Sequence, residues 1–597
     1  MKRFLLILLA ATTAAPAFAQ SDPLAPVNET ELLPVPDPEP QQIFPAPTQT
    51  VNEQIFEPAP APPPAPVRPI PRNWRGVFDA IRFEDWGGAS AGIATLSESP
   101  LKAVARAELF TARNSPRTDL GPILTLLAEA PDLPQADQLQ RMAVSRGAIT
   151  PPAIVSPRPT IGLPTAPRRG RARPVAGEPA ADALRLALDP LIKLDDALGA
   201  EALLIEQGPY LSPEARAEAA QRVAFIYYVL GRDLDVRRIA DQWRPGASGE
   251  WGAQAAWVSG LAAWRMADYS GAQAAFGDAL RFGRGGEFSA CAAYWAARAA
   301  QAGRRPREVQ SLLLIAANSG ESFYGLLARE TLGLTTTLPA PRSVDVNRLA
   351  ARAPNVRRAT ELAAIGERSL AEQMLRHQAK IGSPADQADL IGAARTLDLG
   401  GAQYWLAHNG QRGTRVDAAD RYPAPRWVPD NGWRIDPALA FAHVIQESDF
   451  RAEAVSPADA VGLMQVRPGT AGDTARKRGQ TVTPADLKRP EINLDHGQAA
   501  IELFRRSAAT RGQLPKVIAA YNAGPVPVDR WNYTNDKGDP LLWMESIPYW
   551  ETRYYVPAVL RNMWVYQGLA GAPQPTLRAL AEHRWPTFPT STTKLAR

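Results

Sequence analysis

The chain has 597 residues, enough for three or four domains, and 45% of them are apolar, ample for packed cores. A formal charge of +5 and an isoelectric point near 9.2 suit a weakly anionic polymer or surface. No zinc-finger spacing and no interleaved basic and aromatic pattern points to nucleic acid, and the lone Cys291 excludes an intrachain disulfide.

Residues 1–19 read as an export signal peptide. Lys2 and Arg3 form a basic start, Phe4 to Ala15 an apolar stretch, and Ala17-Phe18-Ala19 a small-x-small cleavage pattern. The stretch is too short to span a membrane, and no later segment reaches the required length. No cysteine beside the cleavage pattern can carry a lipid. The expectation is a soluble periplasmic protein of a Gram-negative cell, not a lipoprotein, with no transmembrane segment in the mature chain. Residues 20–72 form a Pro-rich, acidic linker, and from Pro58 to Pro71 eight of fourteen residues are proline. Such a segment lacks backbone donors and apolar periodicity, so it is expected to be extended and mobile. A spacer and a merely tolerated tail are equal readings of it.

Residues 73–149 read as an N-terminal helical segment. Stretches such as Leu101 to Thr111 and Gly121 to Ala130 are separated by Ser-Pro, Ala-Pro and Leu-Pro breaks. Residues 150–180 form a second linker, rich in Pro and holding Arg168, Arg169, Arg171 and Arg173. A solvated basic loop is expected there, with contact to an acidic polymer as the sharper alternative. Residues 181–420 are Ala-rich, and Trp251, Trp257, Leu261, Trp264 and Tyr269 fall near helical spacing. The blocks Tyr294 to Ala299 and Phe323 to Ala328 repeat the style, and Cys291 sits among Ala and aromatic residues as inert core. Small residues let helices approach and aromatics fill the gaps. The pattern predicts an α-solenoid of helical hairpins, similar to tetratricopeptide arrays without a clean period. Tyr422-Pro423-Ala424-Pro425 breaks it. A compact, mostly helical domain follows over 421–570, then a tail over 571–597 that packs in part through Leu577, Leu580 and Trp585.

The chemistry concentrates in the 421–570 domain. Asp436 and Pro437 open a predicted helix that ends at Glu447-Ser448. Phe441, Val444, Ile445 and Ser448 share one face, and Glu447 sits at its border. A carboxyl placed there is partly desolvated, which raises its pKa and suits it to donate a proton to a poor leaving group. Gly462 permits close backbone approach, Met464 offers an apolar wall, and Gln465 offers both donor and acceptor. Tyr521 and Asn522 end a short helix stopped by Gly524-Pro525. A Tyr521 hydroxyl beside Glu447 could orient it, and Asn522 could bind an N-acetyl group. Tyr549, Trp550, Tyr554 and Tyr555 supply aromatic faces for sugar rings. Each block alone is bland: a Glu at a helix edge is usually solvated, and an aromatic cluster is usually core.

Together the blocks resemble the soluble lytic transglycosylases, lysozyme-like enzymes that cut the glycan strands of peptidoglycan. The blocks are Gln446-Glu447-Ser448, Gly462-Leu463-Met464-Gln465, Ala520-Tyr521-Asn522-Ala523-Gly524 and Glu545 to Val556, in that order. The resemblance is close over residues 430 to 565 and looser over 181 to 430. It implies an all-α protein, an α-solenoid superhelix of helical hairpins followed by a lysozyme-like, mostly helical catalytic domain. It makes Glu447 the sole catalytic acid and base. It places Ser456 near that acid, has Met464 and Gln465 line the cleft, and has Tyr521 and Asn522 support the acid and touch substrate. Glu545 and Tyr555 match positions near the same cleft. Asp459 departs from the family pattern, which has Gly there, and this puts the loop shape in doubt.

The implied reaction cleaves the β-1,4 bond between N-acetylmuramic acid and N-acetylglucosamine without water and leaves a 1,6-anhydro-muramoyl end. Neither cofactor nor metal is implied. The five histidines show no ligand spacing, and His443 and His496 read as structural. Ordinary glycosidases use two carboxylates. Here Asp449 points away from the Glu447 side of the helix, and Asp459 is the best alternative second carboxylate. A hydrolytic muramidase and a non-catalytic peptidoglycan-binding scaffold are the rival readings. The expected partners are glycan strands and, through the helical array, envelope proteins, with the chain acting as a monomer.

Overall fold

The structure, a computed structural model, describes residues 69–589. The expected export signal, all but the last residues of the 20–72 linker, and residues 590–597 lie outside the described residues. Within them the chain is all-α, with 27 α-helices and one pair of two-residue strands. Fifty-seven prolines are compatible with so much helix because many sit in first turns, where the missing N–H costs nothing. Pro213–Val229, Pro306–Ala317, Pro437–Ser448 and Pro490–Arg506 all begin this way. A second device recurs at helix starts. Asp85, Asp196, Asp268 and Ser322 each cap a helix by accepting from the N–H of a glycine three residues on.

The array is built from antiparallel hairpins. Glu250–Arg265, Tyr269–Phe282, Gly286–Ala302 and Pro306–Ala317 succeed one another, each helix against the next. Trp295 is fully buried and takes Trp264 and Trp257 edge-on, at centroid distances of 5.5 and 6.2 Å. Cys291 is buried beside it.

The apolar cores do not follow the order of the chain. Phe78, Leu126 and Leu139 of the first five helices share one core with Leu362, Leu375 and Leu406, more than two hundred residues later. The helices between 346 and 408 therefore bury their stripes against the N-terminal segment. A second core joins the central array to the last domain, from Leu184, Trp295 and Phe323 to Phe441, Val517 and Trp564. Phe323 stacks on Trp564 at 5.2 Å. A helical stripe must find another layer, and here the nearest layer is often distant in sequence. The tail takes part: Leu577 and Leu580 of the helix Pro575–Ala581 are fully buried.

The segment expected as a solvated basic loop is instead a strap bound along the protein. Its strand Ile161–Gly162 pairs antiparallel with Asn409–Gly410. The Pro167 carbonyl accepts from Arg561 at 2.9 Å, and the Arg173 carbonyl accepts from the Trp251 indole at 2.8 Å. Arg168 keeps an exposed position, but the Arg169 side chain is 5% exposed. Its guanidinium donates to both Glu545 oxygens at 2.8 and 3.0 Å. It lies 4.7 Å from the Trp257 ring, 5.2 Å from Phe288 and 5.1 Å from Tyr554. Composition announces an exposed arginine cluster. The burial follows from a carboxylate and three aromatic faces contributed by remote segments, which no local pattern reveals.

Around this pin the array grips the start of the helix Trp550–Leu569. Tyr324 donates to Glu545 at 2.7 Å, and the hydroxyls of Tyr228 and Ser546 lie 2.9 Å apart. Arg298 pairs with Asp539 at 2.5 Å, and Arg553 lies 4.0 Å over the Phe225 ring. Replacing Arg169 by Met should lower stability by roughly 3 kcal/mol, because it leaves Glu545 buried without its cation. The paired R169M/E545Q variant should regain much of that loss. Urea midpoints of the wild type and the variants check this, and equal losses in single and double variants would contradict it.

Candidate active site

Asp436 starts the helix Pro437–Ser448 by accepting from the Ala438 N–H at 2.9 Å. The helix is buried along most of its length, from Pro437 to Ile445. Only its last turn opens to solvent, and there Glu447 sits partly exposed. The chain then turns sharply through Asp449 and Phe450, both at positive φ. Ser448 ties the end down by donating to the Leu463 carbonyl at 2.7 Å. Asp449 is exposed and faces Tyr404, so it is not a partner of Glu447.

The long helix Trp550–Leu569 packs along Pro437–Ser448 and brings Tyr555 to the carboxyl. The Tyr555 hydroxyl donates to Glu447 Oε1 at 2.5 Å, and His443 Nδ1 lies 2.7 Å from the same hydroxyl. Burial lifts the Glu447 pKa to about 7. The Tyr555 hydrogen bond pulls against that rise, and the negative charge of Glu551 adds to it. Burial alone drives the His443 pKa down to about 3, so this imidazole is neutral. Burial, then the neighbouring Glu447 charge, holds the Tyr555 and Tyr521 phenols well above their ordinary value.

The sequence assigned the orienting hydroxyl to Tyr521. In the structure Tyr521 donates to the Met464 carbonyl at 2.7 Å, and its ring packs on His443 at 4.6 Å. Tyr555 holds Glu447 instead. Asn522 is fixed at both ends of its amide: it donates to Glu551 at 3.0 Å and accepts from Thr552 at 2.6 Å. Both partners lie on the helix that carries Tyr555.

The Gly462-Leu463-Met464-Gln465 loop is clamped by a residue the sequence did not single out. Asn493 is fully buried. It accepts from the Met464 N–H at 2.8 Å and donates to the Val461 and Leu487 carbonyls at 2.8 and 2.7 Å. Gly462 has φ +79, and a Cβ there would lie 2.2 Å from the Asn493 amide and 2.3 Å from the Leu487 carbonyl. Met464 is fully buried against Gly497, so it backs the loop and does not face solvent. Gln465 remains partly exposed and spends its amide N–H on the Gly462 carbonyl at 2.8 Å.

The other expected site residues divide. Ser456 closes a tight turn by accepting from Ala458 and Ala460 at 3.2 and 3.1 Å. Asp459 in that turn has φ +59, the conformation glycine favours and aspartate tolerates. Asp459 is exposed and is not among the groups that shift Glu447. Glu545 is buried in the ion pair with Arg169 and is spent on joining segments. Of the four aromatics, Tyr549 is 45% exposed, while Tyr554 lies against Arg169 and Tyr555 is buried. Glu551 is exposed, acts on the Glu447 charge and was not singled out; its place in the Glu545 to Val556 block, one turn before Tyr555, was the available signal. Among the described residues no cluster of three His, Cys, Asp or Glu could hold a metal, and no helix is long and apolar enough to cross a membrane.

Residues 429–543 match the transglycosylase SLT domain family. The chain is 28% identical over 293 residues to the soluble lytic murein transglycosylase of Salmonella typhimurium, covering 47% of this chain and 44% of that protein. It is 28% identical over 284 residues to the Escherichia coli K12 protein of the same description, covering 44% and 41%. The matches thus span less than half the length of these curated relatives. Among solved structures, the lytic transglycosylase Slt of Pseudomonas aeruginosa superposes with a TM-score of 0.51 at 22% identity, over 86% of this chain and 76% of that one. The 70 kDa soluble lytic transglycosylase of Escherichia coli gives 0.53 at 18% identity, over 86% and 99%. At these identities the likeness establishes the shared superhelical, all-α fold.

The raised carboxyl pKa carries a stability consequence independent of any substrate. Between the ordinary carboxyl pKa and about 7 the native state holds a proton that the unfolded chain has released. Stability of the wild type therefore falls as pH rises through that window. Glu447→Gln should have the higher thermal midpoint at pH 8, and the gap should close by pH 4. A pH-independent difference would contradict the assignment.

Proposed function

We propose that this protein is a lytic transglycosylase acting on peptidoglycan, with Glu447 as acid and then base. The observation that carries the reading is one partly exposed carboxyl whose pKa burial raises to about 7 and which is hydrogen-bonded through a single oxygen, while the neighbouring Glu551 carboxylate accepts from Asn522. The curated relatives at 28% identity are described as soluble lytic murein transglycosylases, which supports the same substrate.

In this reading one carboxyl acts twice. Protonated Glu447 gives its proton to the oxygen leaving between N-acetylmuramic acid and N-acetylglucosamine. The muramoyl 2-acetamido group stabilises the positive charge developing at C1, a role the substrate fills where a second carboxylate is missing. Glu447, now ionised, takes the proton from the muramoyl C6 hydroxyl, which closes onto C1. The product is a 1,6-anhydro-muramoyl end, and the carboxyl is protonated again for the next turnover. A pKa near 7 serves both halves, because the group is neither locked protonated nor locked ionised at neutral pH. Asn522, with its amide fixed by Glu551 and Thr552, and Gln465, beside the same carboxyl's loop, are the substrate contacts of this reading, and Tyr549 is the stacking face. Export to the periplasm, expected from residues 1–19, places the enzyme with its substrate.

Mass spectrometry of products from purified sacculi tests the reading. Wild-type protein should release muropeptides one water lighter than their reducing counterparts, and Glu447→Gln should lower the rate by about a thousandfold or more. Reducing ends would favour a hydrolytic muramidase, and equal, negligible release by both proteins would leave a binding scaffold. The kcat should also fall as pH rises through about 7, the value at which Glu447 loses the proton that it must donate.

A further inference from the structure

The hydrogen-bond chain behind Glu447 contains a group that the proposed reaction leaves unused. We propose that His443 is a positioning residue for Glu447, acting through Tyr555: its imidazole, protonated on Nδ1, donates to the phenol oxygen and commits the phenol's one hydrogen to Glu447 Oε1. The inference deepens the reading above and rests on it only for its effect on rate.

The hydrogens available to these three groups fix the tautomer. Three atoms form a chain, Glu447 Oε1, Tyr555 Oη and His443 Nδ1, separated by 2.5 and 2.7 Å. A phenol has one hydrogen to give, and an ionised carboxylate can only accept. With Glu447 ionised, the phenol hydrogen must go to Oε1, so the contact to His443 holds only if Nδ1 carries the hydrogen. His443 is neutral and therefore has a single N–H. Its Nε2 is buried without a hydrogen-bond partner. A bare acceptor in that position costs less than an orphaned N–H donor, which folded proteins rarely bury. Both considerations select the same tautomer.

The opposite tautomer has a chemical consequence. With hydrogen on Nε2, the phenol would donate to Nδ1, and Oε1 would satisfy the phenol only by carrying the acid's own proton. That proton would point at Tyr555 and away from the cleft. With Nδ1–H, Oε1 is an acceptor in both ionisation states, and the transferable proton resides on Oε2. His443 thus selects the carboxyl oxygen that performs the chemistry. The position explains the residue: His443 lies one helical turn before Glu447, on the same helix, where its ring meets Tyr555 from the neighbouring helix. The titratable groups facing this pair are Tyr555 and Glu551 from Trp550–Leu569 and Tyr521 from Leu514–Ala523. None of them is a cation that would compete with His443 as the donor to Tyr555.

Imidazole nitrogen NMR of the full chain with labelled histidine tests the tautomer directly, with His443→Gln identifying the signal. The expected result is a protonated Nδ1 and a bare Nε2 that do not titrate between pH 5 and 8. A protonated Nε2 would overturn the proposal. Kinetics supply the second arm. His443→Leu, which cannot donate, leaves the phenol hydrogen on Glu447 but removes the Nδ1–H bond that polarises the phenol; it should lower kcat about tenfold with KM unchanged and move the basic limb of the kcat profile to higher pH, since a weaker phenol donor favours the carboxylate less. His443→Gln, whose amide can donate, should recover most of the rate. Wild-type kcat and an unmoved limb in folded H443L would also overturn it. If the wild type cleaves no glycan at all, the transglycosylase reading fails while the NMR arm still decides the tautomer.

Discussion

The contact between two helices, Pro437–Ser448 and Trp550–Leu569, is the constraint on which the site depends. Their packing desolvates the Glu447 carboxyl while leaving the residue partly exposed, and it supplies the hydroxyl that holds it. Burial alone would push the carboxyl toward permanent protonation. A strong hydrogen bond to the charged form alone would keep it ionised. The two opposed effects leave the group near neutrality, where a single residue can give and take the same proton.

That contact is supported from outside the last domain. The helix carrying Tyr555, Thr552 and Glu551 begins where the array and the strap converge, at Glu545, Ser546 and Arg553. Phe225 and Tyr228 of one helix, Tyr324 of another and Arg169 of the strap reach it from three separate segments of the chain. The superhelix and the domain share one apolar core, so the array acts as a foundation for the helix that orients the acid. The Arg169–Glu545 pair lies inside this joint, and its aromatic surroundings keep water from competing for either charge.

Much of this was legible in the sequence, and the rest was hidden for identifiable reasons. The helix of Glu447 and its Asp436 cap follow from local rules, because a cap is decided by a few neighbouring residues, and the glycine at 462 announced the close backbone approach found there. The all-α array follows from Ala and aromatic periodicity. What local reasoning missed were pairings over long distances. Tyr521 was the candidate for the orienting hydroxyl on paper, and only the crossing of helices shows that Tyr555 reaches the carboxyl. His443 reads as core by its apolar neighbours, and it is core, yet its one polar edge meets the phenol. Asn493 gives no signal because a buried asparagine clamping a loop looks like any polar residue in a helix. The arginines of the strap look solvated because their partners lie hundreds of residues away.

The most direct test of the account is a titration of the Glu447 carboxyl itself, by infrared difference spectroscopy of the wild type against Glu447→Gln. The account predicts a protonated carboxyl band that disappears with a midpoint near pH 7. A midpoint in the ordinary carboxyl range, near 4.5, would contradict it.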